Sequence, residues 1–335
     1  MILVTGGCGY LGSHFIVKLI QKGFDVISLD NLSNSSIDTN DKIKEITGET
    51  PKFIVGDIRN EELLNKIFFE NPIVSVAHFA GLKYLSESLI KPLDYYSVNV
   101  SGTINLLNSM NKASIKNIIF SSSATVYGKG HKLPWHENLI LDTPSNPYAQ
   151  TKFIVETILK NQCSAVKKFN VGILRYFNPV GCHPTGKIGE NMHSDAGNLL
   201  PSIVKVLLKE IDHLQIFGND YPTLDGTGVR DYIHVQDLVD GHIKALEYVE
   251  KKGGYNIWNL GRGEGYSVFE VIKKFEFINK TNIPYKIVGR RADDLPEYWA
   301  DIKKAKDELN WNAKNNLDQI VIDTLNFVNK LKLKK

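Results

Sequence analysis

Only three cysteines, Cys8, Cys163 and Cys182, occur in 335 residues. An odd number without metal-ligand spacing argues against a disulfide framework and a zinc site, and fits reduced thiols in a reducing compartment. Charge of one sign is equally scarce: 40 Lys and Arg stand against 37 Asp and Glu, a net +3. Basic residues do not cluster with aromatics except in the short tail carrying Lys330, Lys332, Lys334 and Lys335. Nucleic acid is therefore not an expected partner, and the tail reads as a solvated end. No apolar run approaches the roughly 18 residues that span a bilayer, so no membrane partner is expected. Met1 leads directly into the strand-like Ile2-Leu3-Val4, which leaves no room for a signal peptide. With 42% hydrophobic and 23% charged residues and no low-complexity tract, the chain is predicted to be a globular, cytoplasmic protein with a large core.

Short β-branched runs alternate with helical patterns through the first half. Strands are predicted near 2–5, 25–29, 52–55, 73–77, 117–121 and 170–174, and helices near 11–22, 61–70, 93–112 and 147–168. This alternation predicts an α/β fold: a doubly wound parallel sheet of the Rossmann type, with helices on both faces. After Tyr176 the rhythm breaks into Gly/Pro-rich stretches such as Asn178-Pro179-Val180-Gly181 and Gly218-Asn219-Asp220-Tyr221-Pro222. A smaller mixed α/β lobe is expected there, from 177–229 and 263–335. A helix near 236–250 and a strand from Tyr255 to Trp258 would let 230–262 rejoin the larger domain, 1–176.

Thr5-Gly6-Gly7-Cys8-Gly9-Tyr10-Leu11-Gly12 follows the first strand and opens the first helix. Glycines at 6, 9 and 12 permit a tight turn and close approach to a pyrophosphate, and the helix N-terminus offers unpaired N–H donors. Such turns are common, and Gly261-x-Gly263-x-Gly265 shows one arising elsewhere in the chain. Context adds weight, because Asp30 ends the second strand 18 positions after Gly12. A carboxylate there accepts from adenosine ribose hydroxyls and repels a 2′-phosphate, so the cofactor is predicted to be NAD rather than NADP. Asp57 and Ile58 after the third strand, and Phe79, Ala80 and Gly81 after the fourth, fall at the same carboxyl edge.

Tyr148-Ala149-Gln150-Thr151-Lys152 puts a phenol and an ammonium on one face of a helix, one turn apart. Tyr248 and Lys252 repeat the spacing, but at the expected frayed end of a surface helix. Only Tyr148 follows a strand end rich in hydroxyls, Ser121-Ser122-Ser123. Lys152 and an oxidised nicotinamide ring would both favour the phenolate and make Tyr148 a base. Ser123, with Ser121 and Ser122 as alternatives, would hold or relay the same substrate proton.

These residues, with Leu174-Arg175-Tyr176-Phe177-Asn178-Pro179-Val180-Gly181, Asp225-Gly226-Thr227-Gly228-Val229-Arg230-Asp231-Tyr232 and Asp294-Leu295-Pro296, resemble the extended short-chain dehydrogenase/reductases, and within them the UDP-galactose 4-epimerases. The resemblance runs over nearly the whole chain. It implies that Tyr10, Leu11, Asn31, Asn34, Lys83 and Phe177 join the residues above around NAD. Asn178, Asn198, Leu199, Phe217 and Tyr232 would contact the nucleotide sugar, Arg230 and Arg291 its diphosphate, and Asp294 its uridine ribose. Tyr298 would act as gatekeeper, its bulk favouring UDP-glucose and UDP-galactose over N-acetylated sugars. The implied reaction removes the 4-hydroxyl proton and the C4 hydride, turns the 4-ketose over, and returns the hydride to its opposite face. A homodimer joined through helices of the larger domain is also implied. Val98 departs from the pattern, which carries a second Asn before Asn99.

The related 4,6-dehydratases need an acidic pair after the active-site serine, where this chain has Ala124 and Thr125. A decarboxylase would need a carboxylate-binding group that cannot be located in the sequence. An epimerase of UDP-N-acetylglucosamine is the nearest alternative. From another class, a catalytically silent NAD-binding regulator would have no need of the intact serine, tyrosine and lysine. His234, though near Arg230, is expected to be a hydrogen-bonded structural histidine.

Overall fold

A computed structural model of the protein describes residues 1–142, 144–190, 197–291 and 294–333. Lys334 and Lys335 of the basic tail lie outside the described residues. Strands β1 (Ile2–Thr5), β2 (Val26–Asp30), β3 (Lys52–Val55), β4 (Ser75–His78), β5 (Asn117–Ser123) and β6 (Asn170–Tyr176) form one sheet with the later strand Tyr255–Leu260. Its order is β3, β2, β1, β4, β5, β6, then Tyr255–Leu260, and every neighbouring pair is parallel. β1, β2 and β4 are buried throughout, as strands covered on both faces must be, and their apolar residues are interrupted only by buried polar ones such as Ser28, Ser75 and His78.

One face is covered by the helices Tyr10–Gln21 and Val235–Lys252, which contribute Phe15, Ile16, Leu19, Leu238, Val239 and Leu246 to a single core. The other face packs on Glu61–Glu70, Gly102–Lys112 and Pro147–Ala165 through Leu64, Ile67, Leu106, Val155 and Leu159. Strand order reverses direction beside β1. The loops leaving the carboxyl ends of β1 and β4 thus diverge and open a crevice, where ligands bind in sheets of this kind.

Two departures from the sequence pattern bear on this crevice. The helix expected over 93–112 is broken into Pro92–Tyr95, a π-helical turn over Tyr96–Ser101, and Gly102–Lys112. The wide turn carries Asn99, whose Nδ2 donates to the Leu82 carbonyl (3.1 Å) and to Thr151 Oγ1 (3.0 Å) while its Oδ1 accepts from Leu82 N–H (2.8 Å). An unanticipated helix, Asp38–Thr47, buries Thr39 and Asn40 beside Ile43, so it shows no apolar period to find.

Beyond β6 the chain forms small sheets of two to four residues per strand, too short for any periodicity. Asn178–Val180 pairs with Tyr232–His234, and Leu214–Phe217 with Tyr285–Val288. Val229–Arg230 lies between Tyr266–Ser267 and Glu297–Tyr298. The helices Leu199–Leu207, Val268–Asn279 and Leu317–Lys332 give this region its own core, with Ile203, Val271, Phe275 and Ile320 fully or almost fully buried. Among the described residues no helix is long and apolar enough to cross a membrane.

Candidate active site

The glycine turn shapes the inner wall of the crevice. Gly6 adopts φ +71°, and a Cβ on it would lie 2.7 Å from the Ala80 nitrogen. A Cβ on Gly12 would lie 2.1 Å from the Gly6 carbonyl oxygen. Backbone contact this close admits only glycine. Gly9 caps the helix Tyr10–Gln21 without a side-chain bond, and no acidic residue occupies its first turn, so the leading N–H groups stay available to an anion. Asp30, almost completely buried, accepts from Cys8 N–H, Leu32 N–H and Ser35 Oγ, each at 2.9 Å. A carboxylate has about four acceptor sites, so one remains for a hydroxyl. Asp57 is held well below the usual carboxylate range, first by its bond to Arg59, against burial.

The crevice is lined by Gly6, Gly9, Tyr10, Leu11, Gly12, Asp30, Asn31, Asn34, Asp57, Ile58, Phe79, Ala80, Gly81 and Lys83, and it ends on Tyr148 and Lys152. Val98 also lines it. Phe177 and Ser123 are not on its wall: Phe177 packs against Trp135 and Tyr298, with ring centroids 6.2 and 6.1 Å away. Arg59, Leu82, Tyr84 and Tyr176 line the crevice without having stood out in the sequence. The Asp57-x-Arg59 pair was the one local signal that could have revealed any of them.

The helix Pro147–Ala165 starts sharply because Asn146 Oδ1 caps the Ala149 N–H (2.9 Å) and Pro147 fits the first turn. Tyr148 and Lys152 thereby face the end of β5. The three serines there have separate partners. The Ser121 hydroxyl bonds His242 Nε2 (2.9 Å), and the Ser122 hydroxyl donates to Glu156 Oε1 (2.6 Å). Ser123 Oγ accepts from Thr125 Oγ1 (3.0 Å) and Thr125 N–H (3.3 Å), and it is the serine near enough to the Tyr148 phenol to ease its ionisation. Lys152 Nζ donates to the Ser121 carbonyl (2.8 Å) and lies 4.8 Å over the Phe120 ring.

Burial raises the Tyr148 pKa; the Ser123 hydrogen bond and the Lys83 ammonium pull it back only in part. A second cation thus acts on the phenol beside Lys152, whose Nζ lies 6.0 Å from the Tyr148 ring centre: Lys83, which the sequence reading had placed only beside the cofactor. Lys83 Nζ is bound at 2.6 Å by Glu190, 107 residues away. Burial lowers Lys152 to about 8, against the attraction of Glu156.

A second polar cluster lies in the region beyond β6. Arg230 is paired with Asp294 and lies 4.6 Å over the Tyr298 ring. Arg291 lies 3.9 Å over Phe217 and donates to the Gly197 carbonyl. Gly197 precedes Asn198, which caps Leu199–Leu207 without using its side chain. Burial raises the buried Tyr232, which both arginines oppose, and burial lowers Arg291, with Arg230 adding to the effect. Two guanidinium groups against one aspartate and a free helix start suit an anion of more than one charge. Asn178 Nδ2 donates to the Asp231 carbonyl (3.1 Å), and Tyr298 lies flat on Trp135, 5.1 Å between centroids at 7°.

His234 is buried and bonded on both nitrogens, to Asp323 (3.1 Å) and to the Gln236 N–H (3.0 Å). Tyr248 is not at a frayed helix end: it packs edge-on against the fully buried Trp258 at 5.1 Å.

Residues 2–261 match the family model described as "NAD dependent epimerase/dehydratase family". Over 329 residues the chain is 50% identical to the UDP-glucose 4-epimerase of Pasteurella multocida, covering 98% of this chain and 97% of that one. It is 47% identical to the UDP-glucose 4-epimerase of Bacillus subtilis over 96% of this chain and 95% of its relative. Among solved structures it resembles the UDP-glucose-4-epimerase of Stenotrophomonas maltophila with bound NAD and formylated UDP-arabinopyranose, with a TM-score of 0.97, 40% identity and coverage of 100% and 99%. A TM-score of 0.94, with 44% identity and 98% coverage of both chains, relates it to the Bifidobacterium longum UDP-glucose 4-epimerase in complex with NAD+ and UDP.

The glycine cradle, uncapped helix start and spare acceptor of Asp30 fit a dinucleotide. Gly12→Ala should weaken NAD binding at least about tenfold, since a methyl group cannot share space with the Gly6 carbonyl. Equilibrium dialysis of the variant checks this, and binding equal to wild type would contradict the placement.

Proposed function

Because this chain belongs to the NAD dependent epimerase/dehydratase family, we infer that it interconverts UDP-galactose and UDP-glucose with NAD, through oxidation at C4, rotation of the 4-keto sugar and re-reduction. The observation that carries this reading is that the glycine-lined crevice ends on Tyr148 and Lys152, with Ser123 beside the phenol. NAD supplies the hydride acceptor and donor at C4.

Everything else falls to the chain. Tyr148 takes the proton of the 4-hydroxyl, and Ser123 holds that hydroxyl against it. Burial disfavours a free phenolate, so the phenol keeps its proton until positive charge is present beside it. Lys152 supplies part of that charge and Lys83 the rest. Gly6, Gly9, Gly12, Asp30, Asn31, Asn34, Asp57 and Lys83 hold the cofactor. Arg230 and Arg291 hold the substrate diphosphate, displacing Asp294 toward the uridine ribose. Anchoring at the diphosphate leaves the hexose ring free to turn over between the two half-reactions, while Tyr148 serves both faces. Remote binding of this kind retains the ketose. Ala124 and Thr125 after Ser123 offer no acid to expel water, which separates this site from that of a dehydratase.

On this reading 1–176 and 230–262 form the NAD-binding domain, and 177–229 with 263–335 the UDP-sugar lobe. Tyr298 faces the sugar, with Asn178 at 3.4 Å from its hydroxyl, and its bulk on the Trp135 platform favours unsubstituted hexoses. A homodimer is supported by exposed apolar side chains on the helices after β4, with Leu89 59% and Ile90 and Leu93 each 79% exposed. Sedimentation should give twice the 37.7 kDa of one chain; a monomer would contradict it. Buried free thiols at Cys8 and Cys182 suit the cytoplasm, which cell fractionation reads directly.

Purified protein should convert UDP-galactose to UDP-glucose without an added hydride acceptor. Tyr148→Phe should lose at least about a hundredfold in kcat while retaining NAD, as expected for a missing proton carrier; wild-type turnover would remove Tyr148 from the mechanism. Tyr298→Cys should raise turnover of UDP-N-acetylglucosamine, and an unchanged rate would count against the gatekeeper.

A further inference from the structure

The ends of β5 and of the helix Pro147–Ala165 are joined by more than the reacting groups. Tyr148, Lys152 and Glu156 recur every four residues and so form one stripe along the helix. The strand meets that stripe at three consecutive residues: Ser123 at Tyr148, the Ser121 carbonyl at Lys152, and the Ser122 hydroxyl at Glu156. Successive strand side chains point to opposite faces, so Ser121 and Ser122 brace the strand end from two sides, against His242 and Glu156.

Glu156 is 3% exposed and touches neither the crevice nor the reacting atoms. Its carboxylate is gripped by Arg175 through Nη2 (2.6 Å) and Nε (3.1 Å) as well as by Ser122. The planar guanidinium dictates the direction of the carboxylate. The hydrogen bond of Lys152 goes to the Ser121 carbonyl instead. We propose that Glu156, clamped by Arg175 and Ser122, is a positioning residue for the reaction: it sets the register of Ser123 against Tyr148, and it holds a negative charge beneath Lys152 without pairing with it. The proposal rests on the reading of Tyr148, Lys152 and Ser123 as the reacting set.

The groups facing Lys152 support it. From its own helix come Tyr148 and Glu156, from β5 the Phe120 ring, and from β4 His78, which burial and then Lys152 push down to about 3. Glu156 carries the only carboxyl group in this set. Removing it lowers the Lys152 pKa further, so the ammonium is lost at a lower pH.

The test reads Lys152 directly, by titrating the ¹³Cε resonance of labelled lysine in the NAD-bound protein, with Lys152→Arg to identify the signal. Glu156→Gln should move the midpoint down by about one pH unit, a tenfold change in proton affinity. If that variant does not fold, Glu156→Met with Arg175→Met removes the buried pair together, a change folds often tolerate; because both charges go, its readout is kcat, which should fall about tenfold as in Ser122→Ala. Ser122→Ala keeps the charge, so its midpoint should stay in place while kcat falls about tenfold at unchanged KM, the result of a displaced Ser123. A Lys152 midpoint that ignores loss of Glu156, or wild-type kcat in Ser122→Ala, would overturn the proposal. The titration needs no turnover, so a chain inactive on UDP-hexoses would defeat the reaction reading without deciding the charge measurement.

Discussion

Taking the Lys152 ammonium out of water is the demand around which much of the molecule is arranged. An uncompensated buried charge costs several kcal/mol, and burial here does weaken its hold on the proton. The compensation is passed from element to element. Lys152 leans on the Ser121 carbonyl and the Phe120 ring, and Glu156 offers the opposing charge one turn along. Arg175 on β6 balances Glu156 and covers the Tyr127 ring at 4.9 Å. Tyr127 donates to Asn259 at 2.6 Å, in the last strand of the sheet. A charge at the crevice therefore couples the helix Pro147–Ala165 to three strands.

The two halves of the site treat anions differently. At the glycine turn the donors are backbone N–H groups, whose direction is set by a helix start and by contacts too close for any side chain. Beyond β6 they are the guanidinium groups of Arg230 and Arg291, each resting on an aromatic ring that limits its rotation. Asp294 now occupies Arg230, and a diphosphate would compete with it for the same donors. On the proposed reading, rigid recognition would serve the ligand that stays bound, and exchangeable pairing the one that turns over.

The crevice is also tied across the chain. Asn99 in the π-helical turn joins the Leu82 loop to Thr151 on the helix of Tyr148, and Lys83 reaches Glu190. These links hold the loop after β4 against both the helix Pro147–Ala165 and the region beyond β6. They also bring Lys83 close enough for Tyr148 to feel its charge.

The parts of this protein readable from its sequence are those governed by neighbours along the chain. Apolar runs give β1 and β3 their bounds, apolar spacing gives Glu61–Glu70, and glycines at three-residue spacing give the turn. Tyr148 and Lys152 belong to the same class, because four residues of helix suffice to align them. Ser123 could not be separated from Ser121 and Ser122 in this way, since which hydroxyl meets the phenol depends on strand direction and on partners as remote as His242. The π-helical turn, the Trp135 platform under Tyr298 and the Lys83–Glu190 pair were equally invisible. Each depends on segments brought together by packing, with no repeat in the local sequence to announce it. Chemistry carried on one helix or one turn could be foreseen, whereas the protonation of that chemistry was decided by burial and by charges arriving from distant parts of the fold.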